Sequence, residues 1–165
     1  MVAFSRRGVT LMEMMIVVAI VSAVFAIAAP MFLQINRTFI MNRTRIELQQ
    51  EARAVMYVVT RTLRQAQSDT ISIDRVNTSQ PFYSKITFTK QQGTTLVFQQ
   101  EGVYLYQVFG TGKRALSKNL KYLAFSLTRS DDMGIISVSL TLEKNMFEGR
   151  KKAFHMASEK VRVMN

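Results

Sequence analysis

Arg6-Arg7-Gly8-Val9-Thr10-Leu11-Met12-Glu13 leads directly into Met14–Leu33, a stretch interrupted only by Ser22 and Pro30. Roughly twenty apolar residues are enough to cross a bilayer as one helix. A carboxylate at the mouth of such a helix is costly to bury, so Glu13 marks a functional position and asks for a positive partner. Arg6 and Arg7 precede the span and favour a cytoplasmic start, although Arg37, Arg43 and Arg45 beyond it blunt the asymmetry.

Basic residues, Gly8, then Val9-Thr10-Leu11-Met12-Glu13 and an apolar helix carrying Pro30 resemble the class III signal of type IV prepilins and pseudopilins. In that family a membrane prepilin peptidase cuts after the glycine and methylates the new amino terminus. The resemblance implies that residues 1–8 are a leader ending at Gly8, and that Val9 becomes the methylated first residue. Glu13 and Pro30 then fall where the family has its glutamate and its proline. Val9 replaces the usual phenylalanine, and Ser22 stands where a helix-loosening glycine is frequent. Neither departure touches the cleavage glycine or the carboxylate.

The physics of these positions stands beside the resemblance. Cleavage after Gly8 releases an ammonium at Val9 about one helical turn from Glu13, and in hydrocarbon an unpaired charge of either sign is strongly penalised. Pairing Glu13 of one subunit with the Val9 amine of a neighbour relieves both costs, and it couples assembly to register. The family resemblance implies the same role for this glutamate. The competing reading is an ordinary secretory signal peptide, with Arg6 and Arg7 as its basic start and Ala26-Ile27-Ala28 as a small-x-small cleavage site. Glu13 and the length of the apolar run stand against it; an uncleaved anchor is the third reading, and the mature amino terminus separates all three.

The 165 residues leave room beyond the membrane segment for one domain of modest core, and no cysteine is present to brace it with a disulfide. The expected organisation is a leader at 1–8, a transmembrane and filament-core helix at 9–35, and a globular periplasmic or extracellular domain at 36–165. From Leu48, apolar residues recur at Ala52, Val55, Val59, Leu63 and Ala66, the spacing that covers one helical face. One long helix from about Leu11 to Gln67 is therefore expected, bent at Pro30 and weakest at Asn36–Thr44.

After Ser68 the apolar period changes from about four to two. Half-buried strands are expected in Thr70–Val76, Ser84–Thr89, Thr94–Gln99, Gly102–Phe109, Tyr122–Thr128, Ile135–Leu142 and Phe154–Met164. Turns are expected at Gln91-Gln92-Gly93, Glu101-Gly102 and Ser130–Gly134, with a loop at Gly110-Thr111-Gly112-Lys113. The predicted fold is α+β and pilin-like, a long amino-terminal helix laid on an antiparallel sheet. The amphipathic helix and the strands at Glu101–Tyr106 and Leu120–Phe125 are similar to those of minor pseudopilins of the J or W type.

Little else in the chain points to chemistry. His155 is the only histidine, and no serine, cysteine or carboxylate constellation can be tied to it. Gly110–Lys113 lacks the glycine spacing of a phosphate loop. Asp131 and Asp132 are weak candidates for a calcium site, too few by themselves to complete the ion's coordination sphere. Met12, Met14, Met15 and Met31 read as adaptable packing, and no cofactor motif is present.

The net charge of +11 falls to +9 when Arg6 and Arg7 leave with the leader. A basic surface attracts polyanions, yet Arg61 and Arg64, Lys113, Arg114, Lys118 and Lys121, and Arg150-Lys151-Lys152 are scattered. Salt-dependent retention on DNA would favour a nucleic-acid partner over a soluble basic surface. The expectation is a structural, non-enzymatic minor pilin or pseudopilin of a type IV pilus or type II secretion filament. It is held by a single pass in the inner membrane and helps to initiate or cap the filament. Its expected partners are other pilin subunits, the prepilin peptidase and the inner-membrane assembly platform. In the family the tip-most minor subunit often lacks the glutamate, so Glu13 implies a position below the tip. A DNA-uptake filament subunit and a membrane-anchored ligand-binding domain remain open as alternatives.

Overall fold

The computed structural model describes residues 8–80, 82–128, 134–146 and 151–163. One helix, α1 (Leu11–Leu63), precedes a short 3-10 turn at Ser68–Thr70. The strands described after it are β1 (Ser72–Asp74), β2 (Lys85–Thr89), β3 (Thr95–Glu101), β4 (Tyr104–Phe109), β5 (Gly112–Ser117), β6 (Leu120–Leu127), β7 (Ile135–Met146) and β8 (Lys151–Arg162). The chain divides into two compact units within α1, one ending at Asn42 and one beginning at Arg43.

In the first unit α1 exposes apolar side chains all round, with Leu11 80%, Phe25 70% and Phe32 71% accessible. A helix of this kind is built for lipid or for the flanks of other helices, since it has no polar face to turn to water. Its few hydroxyls are satisfied within the helix. Ser22 donates to the Val18 carbonyl at 2.7 Å and Thr38 to the Gln34 carbonyl at 3.0 Å, the acceptor one turn back in each case. Pro30 lies inside α1, and without an N–H it cannot donate to the Ala26 carbonyl.

In the second unit α1 becomes one-sided. Leu48, Ala52, Val55, Met56, Val59 and Leu63 are buried, whereas Arg53, Arg61 and Arg64 stay in solvent. The helix expected to reach Gln67 stops at Leu63 because the strand next to it captures the backbone. Ala66 bridges Lys90, Gln67 N–H donates to the Thr89 carbonyl at 2.9 Å and Gln91 N–H to the Gln65 carbonyl at 3.0 Å. Ala66 is nonetheless fully buried, as its place in the apolar stripe requires.

The fold is α+β and pilin-like, the helix packing on antiparallel strands. These form two sheets rather than the single one expected: an order β1-β2-β3-β4-β5 and an order β6-β7-β8. Ile86, Phe88, Leu96, Phe98 and Leu105 fill the core side of the first, and Leu123, Phe125, Ile136, Val138, Leu140 and Leu142 that of the second. Gln100, buried at the end of β3, sews them together. Its side-chain amide donates to the carbonyls of Gly102 at 3.0 Å and Lys121 at 3.1 Å, and its carbonyl accepts from Leu123 N–H at 3.0 Å. Backbone bonds from Leu120 N–H to the Val103 carbonyl and from Phe125 N–H to the Tyr83 carbonyl extend the seam. The helix joins the same region through Glu51, whose carboxylate accepts from Ser117 Oγ at 2.8 Å and Asn119 Nδ2 at 2.7 Å.

Several strand limits differ from those expected. Lys113 and Arg114 belong to β5, not to a loop, and Gly110 at φ 53° makes the tight turn before it. β5 is a sheet edge, where charged side chains are tolerated and the alternating signal fades. β1 keeps only three residues of Thr70–Val76, and β8 begins at Lys151, ahead of Phe154. The turn expected at Ser130–Gly134 lies outside the described residues up to Met133, as does Met164.

Three surface carboxylates, two of them half-buried, are clamped by lysines: Glu47 by Lys144 at 2.9 Å, Glu101 by Lys113 at 2.6 Å and Glu143 by Lys152 at 2.6 Å. The hydrogen bond from the lysine is the main cause that holds each carboxyl below the ordinary value of 4.5. A depressed carboxyl pKa supplies stability that is present above the unfolded value and disappears as the pH falls through the folded one. The urea midpoint of the full chain in detergent micelles is therefore expected to drop as the pH is lowered through and below 4.5. The drop should be smaller in high salt, because the pairs are solvent-exposed. A midpoint indifferent to acid would show that the clamps contribute nothing.

Candidate functional site

The residues ahead of the apolar helix set its start. Gly8 and Val9 are exposed, and a Cβ added to Gly8 meets nothing within 4 Å. The fold of this chain thus places no steric demand for glycine at position 8. Thr10 is the N-cap of α1. Its Oγ1 accepts the Glu13 N–H at 3.2 Å, and its carbonyl accepts the N–H groups of Glu13 at 3.1 Å and Met14 at 3.2 Å.

Glu13 stands in the first turn, where the exposed N–H groups and the helix dipole favour a negative charge. Among the described residues no cation lies within ion-pairing distance of its carboxylate. Thr10 is the residue that the sequence argument missed. The signal was present as Thr10-x-x-Glu13 ahead of an apolar run, the spacing of a capping box.

The remaining sequence candidates do not gather around this point. His155 is half-buried on β8, opposite Leu142 in the β7 ladder. Lys113 is engaged by Glu101 and sits 4.0 Å over the Tyr106 ring, so it is not poised over a phosphate loop. Asp131 and Asp132 lie outside the described residues. Pro30 is within α1, and Met12, Met14, Met15 and Met31 are exposed on it.

The family described as the prokaryotic N-terminal methylation motif matches residues 4–29. No curated protein and no solved structure matches the chain. The matched segment takes in Gly8, Val9, Thr10 and Glu13 and stops one residue short of Pro30. It also opens the one helix, among the described residues, that is long and apolar enough to cross a membrane. That motif at the head of a helix of that length, followed by antiparallel sheets, makes the chain similar to the prepilins and pseudopilins, a type IV pilin-like protein whose amino-terminal helix fits a single-pass membrane anchor.

Proposed function

We propose that this chain is a minor pilin or pseudopilin, a structural subunit that waits in the inner membrane and is then drawn into a type IV pilus or type II secretion filament. The prepilin peptidase cuts between Gly8 and Val9 and methylates Val9. The Glu13 carboxylate then pairs with the Val9 amine of a neighbouring subunit, and residues 9–35 pack as the filament-core helix, with residues 36–165 on the periplasmic or extracellular side. One observation carries the reading: a carboxylate without an ion-pair partner among the described residues sits in the first turn of an all-round apolar helix, inside a methylation motif.

Burial in a filament core supplies the low dielectric that makes such a pair selective, since neither charge is tolerated there alone. Helices apolar on every side associate by close packing, not by a hydrophobic face, which suits subunits that move from lipid into a bundle. The order of the long helix and the later strands supports a minor subunit of the J or W type. The retained Glu13 supports a place below the tip, with the assembly platform and other pilins as partners.

Co-expression with a prepilin peptidase and sequencing of the amino terminus tests the reading. The mature chain is expected to begin at Val9 and to carry a methyl group there. Because a side chain at position 8 has free space, Gly8→Leu is expected to abolish cleavage without disturbing the fold. An amino terminus created after Ala28, or one still at Met1 in the presence of active peptidase, would remove the proposal.

A further inference from the structure

β8 is an open edge. It pairs with β7, and no strand among the described residues pairs with its other side. The hydrogen-bonding parity of that open side follows from two bonds. Val163 N–H donates to the Gly134 carbonyl at 2.7 Å, in line with the Ile135↔Arg162 register. In an antiparallel ladder this commits the odd-numbered residues of β8 to β7 and turns the N–H and C=O groups of Phe154, Met156, Ser158 and Lys160 outward. Thr128 N–H to the Ile135 carbonyl, at 3.1 Å, gives the same answer from the far side of β7, by committing the odd-numbered residues there to β6.

The two faces beside this edge differ in chemistry. On the outer face Phe154 and Met156 are 67% and 69% exposed. Met156 borders a groove of about 360 Å³ with Tyr122 and Phe82, whose rings meet edge-on at 5.1 Å. On the other face Glu159 of β8, Arg53, Tyr57 and Arg61 of α1 and Arg64 just after it line a cleft of about 590 Å³. Among the described residues no carboxylate lies within ion-pairing distance of the three arginines, and Arg61 rests 6.0 Å over the Tyr57 ring.

We propose that the free edge of β8 is a strand-addition site for an extended acidic segment of another protein, with side chains alternating between apolar and carboxylate. Strand addition takes its affinity from main-chain bonds and its specificity from alternate side chains. Here the apolar set extends the Phe154–Met156 face, and the carboxylates face Arg53, Arg61 and Arg64. A second copy of β8 fits poorly. Antiparallel self-pairing centred on Met156 sets Lys152 opposite Lys160, and like charges directly opposite are destabilising. A long exposed edge is otherwise an aggregation hazard, so a dedicated occupant also explains how it persists. None of this involves Gly8, Val9 or Glu13, and it stands apart from the filament-anchor reading.

The test uses the full chain in detergent micelles and a peptide of about ten residues alternating valine and glutamate, read by amide hydrogen exchange. The peptide is expected to slow exchange at Phe154, Met156, Ser158 and Lys160 by about tenfold or more, whereas an alternating valine-lysine peptide leaves them unchanged. Arg61→Glu combined with Arg64→Glu is expected to weaken binding about tenfold, the equivalent of roughly 1.4 kcal/mol. Met156→Pro removes an outward N–H at an edge, where proline is tolerated, and is expected to abolish binding. Failure of the acidic peptide to protect these amides overturns the proposal, as does equal protection by the lysine peptide. Protection that rises with protein concentration, without peptide, would assign the edge to a second copy instead.

Discussion

Glu13→Ala is expected to lower incorporation of the chain into filaments by a hundredfold or more, while cleavage after Gly8 proceeds as before. On the proposed packing, the substitution strands the neighbour's Val9 ammonium in a low-dielectric core. Breaking a buried ion pair by deleting one member costs about 3–5 kcal/mol, which corresponds to roughly two to four orders of magnitude in an association constant. The helix start itself should survive, because the bonds to Thr10 are made by the backbone N–H of Glu13 and not by its carboxylate. Glu13→Gln keeps the shape and loses the charge, so it should fail almost as badly. Thr10→Ala loses only a cap and should be far milder, about 0.5–2 kcal/mol in helix stability. The measurement is the ratio of subunit in sheared filaments to subunit left in the membrane. Wild-type incorporation of Glu13→Ala would end the case for the joint.

Gln100→Leu is expected to destabilise the globular domain by about 3 kcal/mol, among the larger effects of any single change in it. The side chain is buried and nearly the size of its replacement, so little volume is lost. What disappears is the set of bonds to Gly102, Lys121 and Leu123, leaving two carbonyls and one N–H without their partner at the line where the sheets meet. Each unsatisfied buried group costs about 1–3 kcal/mol, and water reaches some of them once the seam loosens. Gln107→Leu on β4, a partly exposed position, serves as the control and should stay within about 0.5 kcal/mol. Urea unfolding of the full chain, followed by circular dichroism, gives both values. Equal midpoints for the two variants would show that Gln100 does not hold the sheets together.

The amino-terminal half of this account was legible because its signals are local. An apolar run of membrane length, a carboxylate at its mouth and a glycine ahead of it can be read without knowing what any of them touches. The inward stripe of α1 from Leu48 to Ala66 was equally readable, and every residue of it is buried. What escaped was set by tertiary contact. The last turn of the helix yields to Lys90 and Thr89, residues more than twenty positions away. β5 hides because edge strands can carry Lys113 and Arg114 where an inner strand could not. The join between the two sheets runs through Gln100, which follows Gln99 directly, and nothing in composition marks which of the two is buried. Thr10 was legible too, in the capping-box spacing Thr10-x-x-Glu13.

The internal bonding of Ser22 and Thr38 bears on the mechanics of an assembled fibre. With the Ser22 hydroxyl turned onto its own helix, and Thr38 bonded the same way just beyond, the shaft between Met14 and Leu33 offers its neighbours dispersion contacts. Such surfaces resist being lifted apart much more than being drawn past one another. Axial position on the proposed packing therefore rests with a single electrostatic latch at one end, and a fibre of such shafts under load lengthens by glide before it sheds a subunit.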